Sequence, residues 1–224
     1  MIAAAGSSRR MGFDKLTAEL GGAPILAHTV FAFELCPQVD EIVLVVSREN
    51  LEWCEQLIKN LAWKKVKKPC LGGERRQDSV LRGLEELTGC QWALIQDGAR
   101  PFTDRDLIIR GLGEAELVGA AIAAVPVKDT IKLVDEQRLI VSTPNRAMTW
   151  VAQTPQVFRH DLIASALRQV KEEITDDAQA LERMGLPVKV YMGSYDNIKI
   201  TTPEDLGLAE SIWRRRQRLG SPRG

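Results

Sequence analysis

Continuous apolar runs along this chain alternate with stretches whose apolar residues recur at helical spacing. Three alanines ending in Gly6 read as the carboxyl end of a short buried strand. Ile25 to Leu35 carries apolar residues at helical spacing and is stopped by Pro37. Glu41 to Ser47 is β-branched and too apolar to have a wet face, which predicts a central parallel strand. Helix returns over Glu49 to Leu61, a short exposed strand over Lys64 to Lys68, a turn at Gly72-Gly73 and a helix over Asp78 to Leu87. Trp92 to Gln96 is the next buried strand, and it ends in Asp97-Gly98-Ala99-Arg100-Pro101. Asp104 to Leu117 reads as helix and Ala120 to Val125 as strand. Asp161 to Lys171 and Asp176 to Met184 read as helices, Pro187 to Met192 as strand, and Pro203 to Arg218 as a closing helix. This alternation predicts an α/β chain: one Rossmann-like three-layer domain over residues 1–224, with a mostly parallel central sheet and ligands at the carboxyl ends of its strands.

One segment breaks the alternation. From Thr130 to Thr143, apolar and polar residues interleave around Asp135-Glu136-Gln137, the pattern of a β-hairpin. Such a hairpin has few partners within three layers. Residues 128–147 are therefore expected to project as a β-hairpin arm for dimer contact; the alternative is an edge hairpin folded back on its own sheet.

Composition narrows the function. The 45% apolar and 27% charged fractions are those of an ordinary soluble globular protein. Thirty basic against thirty acidic residues argue against a general nucleic-acid or membrane-surface binder. The apolar run from Leu117 to Val127 is about half the length a membrane span needs, and no basic n-region precedes the opening alanines. Cys36, Cys54, Cys70 and Cys90 are scattered without a Cys-x-x-Cys pair, so zinc is not expected and reduced thiols in a cytoplasm are.

Candidate chemistry falls in four clusters at strand ends or turns. In the first, Gly6-Ser7-Ser8 makes a turn of small residues with free N–H groups, and Arg9, Arg10 and Lys15 add positive charge within one loop, which suits a polyphosphate. The spacing excludes a P-loop, because Phe13-Asp14-Lys15 follows Gly12, and Gly6-Ser7-Ser8 breaks the dinucleotide fingerprint at its second glycine. The others are Gly72 to Ser79, Asp97 to Pro101, and Asp196 to Thr201, after which Thr202 starts a helix. Singly, Asp78-Ser79 reads as a helix cap and Asp196-Asn197 as a turn. Together the clusters supply cations, one carboxylate at a buried strand end and glycine turns, without a Ser/His/Asp relay; His28 and His160 sit in predicted helices and read as structural or exposed. That inventory suits phosphoryl or nucleotidyl transfer, in which the protein positions two mutually repelling anions and neutralises charge.

These motifs also occur in a known order. Ala-Ala-Ala-Gly-Ser-Ser-Arg-Arg-Met-Gly with Lys15, Gly-Gly-Glu-Arg-Arg-Gln-Asp-Ser-Val, Gln-Asp-Gly-Ala-Arg-Pro, Val-Lys-Asp-Thr-Ile-Lys, Thr-Pro-Gln, Thr-Asp-Asp and Asp-Asn-Ile-Lys-Ile-Thr follow one another. With them the chain resembles the 2-C-methyl-D-erythritol 4-phosphate cytidylyltransferases of non-mevalonate isoprenoid synthesis over nearly its whole length. The resemblance implies that CTP and the polyol phosphate give pyrophosphate and the CDP-linked polyol, with magnesium. It implies that Arg10 and Lys15 stabilise charge on the transferring and leaving phosphates. Ala4, Ala5 and Gly6 of the opening loop, with Gly73, Glu74 and Ser79, match nucleotide-binding positions. Asp97 matches the carboxylate near metal and ribose, and by chemistry is the best magnesium candidate because that ion prefers oxygen. Arg100, Thr130, Arg146, Thr154, Thr175 and Lys199 match polyol-phosphate positions, Arg146 and Lys199 orienting the attacking phosphate. The resemblance further implies a homodimer whose arm carries Thr130 and Arg146 into the neighbour's site. The chain departs from the family at Ser8, where glycine is usual, and at Gly98, where alanine is common. Two rivals stay open: a relative acting on another polyol phosphate such as ribitol 5-phosphate, and a non-catalytic nucleotide-binding protein of the same fold.

Overall fold

The computed structural model describes residues 1–6 and 14–220. Arg9, Arg10 and Ser8 lie outside the described residues. The strands are β1 (Ile2–Ala4), β2 (Glu19–Leu20), β3 (Ala23–Pro24), β4 (Leu44–Val46), β5 (Cys70–Leu71), β6 (Trp92–Asp97), β7 (Ala120–Pro126), β8 (Leu133–Val134), β9 (Ile140–Ser142), β10 (Trp150–Arg159) and β11 (Lys189–Met192). The helices are α1 (Ile25–Glu34), α2 (Leu51–Leu61), α3 (Arg76–Glu86), α4 (Arg105–Val118), α5 (His160–Gln169), α6 (Ala178–Arg183) and α7 (Pro203–Gly220).

Seven strands form one sheet in the order β11-β7-β10-β6-β1-β4-β5. β1 pairs in parallel with β4 and β6, β4 with β5, and β7 with β11; only β10 runs against its neighbours. Both faces of the sheet are covered, and β4 shows why its sequence has no polar side: Leu44 and Val46 pack with α1 and α2, Val43 and Val45 with α3.

The sequence reading needs correction at two places. The strand expected over Lys64–Lys68 is only a single bridge from Val66 to Ile42, and the edge strand is β5, which begins four positions after Val66. Among its lysines only Val66 reaches the core, too little to sustain a longer pairing. β10 was not anticipated, because Gln153-Thr154-Pro155-Gln156 interrupts its apolar pattern and an internal proline argues against a central strand. The chain resolves this with an irregularity between Ala152 and Gln156, where the register to β7 shifts. The closing helix carries the Arg214-Arg215-Arg216 run near its end. The helix continues to Gly220, Arg215 pairs with Asp196 at 2.5 Å, and the Arg216 guanidinium lies over the Phe102 ring.

α7 packs through Ala209 and Ile212 on Leu20, Ile25 and Phe102. Its Trp213 ring lies against Gly21 in the β2–β3 turn, where φ is +58° and an added Cβ would come within 2.2 Å of the indole. Only glycine suits both the left-handed backbone and that approach. The hairpin of β8 and β9 has its strands exposed to solvent, from Leu133 to Ser142.

Candidate active site

β1, β4, β5 and β6 deliver their carboxyl ends to one edge of the sheet. There Gly98 N donates to Ala3 O and Gly72 N to Val46 O, both at 2.9 Å, so the loops after β1, β5 and β6 meet. A Cβ on Gly72 would stand 2.5 Å from that of Ala5 and 2.8 Å from Ser79 Oγ, so a side chain there would hold the loops apart. Between them opens a cleft of about 440 Å³ lined by Ala4, Ala5, Gly6, Lys15, Gly73, Glu74, Arg76, Ser79, Asp97 and Lys199. The Ser79 hydroxyl accepts from Gly73 N at 3.0 Å and donates to Arg75 O at 3.1 Å, which holds the glycine turn against α3. Asp78 caps that helix by accepting from Arg75 N, as its sequence position suggests. The turn carrying Lys15 is held by Asp14, which accepts from Leu16 N at 2.9 Å and from Asn50 Nδ2 at the start of α2.

A second cleft, of about 280 Å³, adjoins the first. Arg100, Thr154 and Thr175 line it with Gln153, Gln156 and Asp176, and it shares Arg76, Asp97 and Lys199 with its neighbour. Its floor is the irregular part of β10. Thr154 Oγ1 accepts from Asp97 N at 3.0 Å, and Thr154 O accepts from the fully buried Asn197 Nδ2 at 2.8 Å. Arg100 Nη1 donates to Asn197 O at 2.7 Å. These bonds tie the Asp196–Thr201 segment, and hence Lys199, to the end of β6.

Asp97 sits where the clefts meet and is 5% exposed. Its Oδ1 takes Arg76 Nη1 at 2.9 Å; its Oδ2 takes Arg100 Nε and Lys199 Nζ, each at 3.1 Å. Burial pushes the Asp97 carboxyl up, but Arg76, Lys199 and Arg100 outweigh it and hold it well below the usual carboxylate range. Arg76 reaches a second buried carboxylate, Asp177, through Nη2 at 2.8 Å. There burial prevails over Arg76 and raises the carboxyl above its ordinary value. Around one anchored carboxylate the site thus gathers three cations, next to one cleft of nucleotide size and one smaller.

The profile of the 2-C-methyl-D-erythritol 4-phosphate cytidylyltransferase family matches residues 1–215. The chain belongs to this family. It is 51% identical over 213 residues to the 2-C-methyl-D-erythritol 4-phosphate cytidylyltransferase of Dehalococcoides mccartyi, covering 95% of this chain and 94% of that one. It is 44% identical to the protein of the same name from Alkaliphilus metalliredigens, over 97% and 93% of the two chains. Among solved structures, the 4-diphosphocytidyl-2C-methyl-D-erythritol synthase of Anaerococcus prevotii superposes with a TM-score of 0.86 at 31% identity, over 96% of each chain. The Thermus thermophilus cytidylyltransferase superposes at 0.74 and 29% identity, over 96% and 98%. The chain is therefore a nucleotidyltransferase with the fold of these cytidylyltransferases.

Within this cytidylyltransferase fold, most residues expected at the site converge and a few do not. Ala4, Ala5, Gly6, Lys15, Gly73, Glu74, Ser79, Asp97 and Lys199 share the larger cleft; Arg100, Thr154 and Thr175 line the smaller. Arg10 lies outside the described residues. Thr130 and Arg146 are exposed on the arm and line neither cleft, and Arg146 Nη1 donates to Lys128 O at 3.5 Å. Both histidines bond backbone, His28 at Leu20 O and His160 at Leu84 O, as structural residues would. Arg76, Asp177 and Gln156 were missed. Arg76 hides in a motif read for its glycines, and the only signal for Asp177 is the doubled acid of Thr-Asp-Asp.

Among the described residues no group of three histidines, cysteines or carboxylates could by itself hold a metal ion. Asp97 has two hard oxygens where the clefts meet, and both already accept from Arg76, Arg100 and Lys199. With one protein carboxylate, the donor set fits a magnesium ion only if phosphate oxygens and water supply most of its ligands, and does not make a cage built wholly of protein.

Proposed function

We propose that this chain transfers the cytidylyl group of CTP to 2-C-methyl-D-erythritol 4-phosphate, an isoprenoid precursor, releasing pyrophosphate. A phosphate oxygen of the polyol attacks the α-phosphorus; the new P–O bond forms as the bond to the β-phosphate bridge breaks, and the electron pair leaves with pyrophosphate. The attacking phosphate is already ionised, so no general base is required. The observation that carries this reading is Asp97 with its three cations at the junction of a larger and a smaller cleft. CTP takes the larger cleft, its base and ribose against Ala4, Ala5, Gly6, Gly73, Glu74 and Ser79. The polyol phosphate takes the smaller, beside Arg100, Thr154 and Thr175, and Lys199 turns it toward the α-phosphorus. Lys15, with Arg10, meets the charge that grows on the transferring and leaving phosphates. Magnesium, held by Asp97 and the phosphates, supplies further neutralisation when bound.

The arm supports a homodimer. Leu139, Ile140, Val141 and Met148 are each more than 60% exposed on or beside a two-stranded hairpin, which is marginal in water by itself. A second copy of this chain covers that surface, and its Thr130 and Arg146 complete the neighbour's smaller cleft. Four free cysteines agree with a reducing compartment, and we place the reaction in the cytoplasm. The test is pyrophosphate release from CTP, magnesium and each of two polyols in parallel. Turnover of the methylerythritol phosphate with little of ribitol 5-phosphate is expected; the reverse preference would move the substrate, and release with neither would leave only a nucleotide-binding protein.

A further inference from the structure

Asp177 stands at the N-cap position of α6 without capping it. Its side chain makes no bond to a helix N–H; Asp176 does that work instead, accepting from Gln179 N at 3.1 Å. The Asp177 carboxylate is fully buried, and among the described residues its Oδ1 has no hydrogen-bond partner. Its Oδ2 takes Arg76 Nη2 at 2.8 Å. Burying a carboxylate with one oxygen unsatisfied is a poor way to stabilise a fold. The pair makes sense through what Arg76 does with its other arm.

Arg76 is the residue that borders both clefts from the first turn of α3, and its side chain is 29% exposed. Its Nη1 holds Asp97 Oδ1, which leaves Oδ2 to Arg100 and Lys199. A planar guanidinium gripped at one nitrogen presents the other in a set direction, which a lysine ammonium cannot do. Ungripped, Arg76 would be drawn to whatever phosphate entered either cleft, and the Asp97 carboxylate would turn with it. We propose that Asp177 is a positioning residue for the reaction: by holding one arm of Arg76 it fixes the other on Asp97, and so keeps Asp97 and Lys199 in register between the two substrates. The inference rests on the reading of the joined clefts as the active site.

The experiment compares the full-length wild type with Asp177→Asn, Arg76→Lys and the double variant, by pyrophosphate release and thermal melting. Asparagine keeps the shape and an acceptor oxygen but loses the charge. Asp177→Asn and Arg76→Lys are each expected to lower kcat about tenfold or more, the scale of a small misplacement at a reacting centre. KM for either substrate should stay within about threefold, because uniform binding is little touched. The double variant should be no slower than Arg76→Lys, since Asp177 acts only through Arg76. Wild-type kcat in Asp177→Asn, or losses that multiply in the double variant and track a falling melting temperature, would overturn the proposal. If Asp177→Asn does not fold, Arg76→Lys decides alone, because Arg76 is partly exposed; wild-type kcat there overturns it equally. Lys199→Met separates the two readings: full turnover in that variant removes the site itself, whereas its inactivity beside a fully active Asp177→Asn removes only the role of Asp177.

Discussion

Asp97 holds three cations with two oxygens, and the consequences show first in stability. Replacing it with asparagine leaves Arg76, Arg100 and Lys199 crowded together without their shared anion. Breaking a buried pair from one side costs about 3 kcal/mol or more, so Asp97→Asn should unfold at distinctly lower denaturant than wild type at pH 7. The folded-state pKa of Asp97 is depressed, so its contribution is present above the unfolded value of about 3.9 and declines as pH falls below it. The gap between wild type and Asp97→Asn should therefore narrow on acidification below about pH 4; a constant gap would mean that charge is not the cause. Under the proposed mechanism Lys15 meets the charge on the transferring and leaving phosphates. Lys15→Ala is expected to lose roughly a hundredfold in turnover while the chain still folds, the scale of losing one electrostatic donor. Cys54 makes a negative control. Burial, with the Asp14 charge as a smaller contribution, pushes its thiol up to about 12, so a thiol reagent at pH 8 should leave it unmodified until the protein unfolds.

At the scale of elements, α7 and the β2–β3 turn form a brace near the segment that carries Lys15. Gly21→Ala puts a methyl group into the Trp213 ring and a side chain on a left-handed backbone. A cost of about 2 kcal/mol is expected from overpacking and strain together, read as a lower unfolding midpoint. Pairing Gly21→Ala with Trp213→Ala should recover part of that loss; no recovery would assign the cost to the backbone alone. The hydrophobic pattern made most elements legible, because β4, β6 and β7 are buried on both faces and α1, α3 and α5 are not buried all round. β10 stayed hidden because its polar residues, Gln153, Thr154 and Gln156, are inside the protein to serve the site. A strand built for a binding floor carries the composition of a loop.

For the whole molecule, the proposed dimer makes the arm the place to test whether one chain suffices. Ile140→Asp with Val141→Asp places charge on surface that is open in the single chain, so the subunit should fold, elute as a monomer and lose most turnover. Mixing Lys15→Ala and Arg146→Ala dimers under subunit exchange should restore some activity, because one hybrid site then holds both intact residues. Hybrid dimers without any turnover would confine the site to one subunit.

Read alone, the sequence determined the fold class, the edge of the sheet where ligands gather and most of the residues lining it. These follow from local rules: burial on two faces writes apolar runs, and close backbone approach demands glycine. Only the tertiary structure decided which of those residues touch. Arg76 and Asp177 lie 101 positions apart, and no local pattern reports an ion pair across that distance. The partnership exists because α3 and the turn before α6 are packed on the same side of the sheet, and there the burial of two carboxylates requires a cation between them.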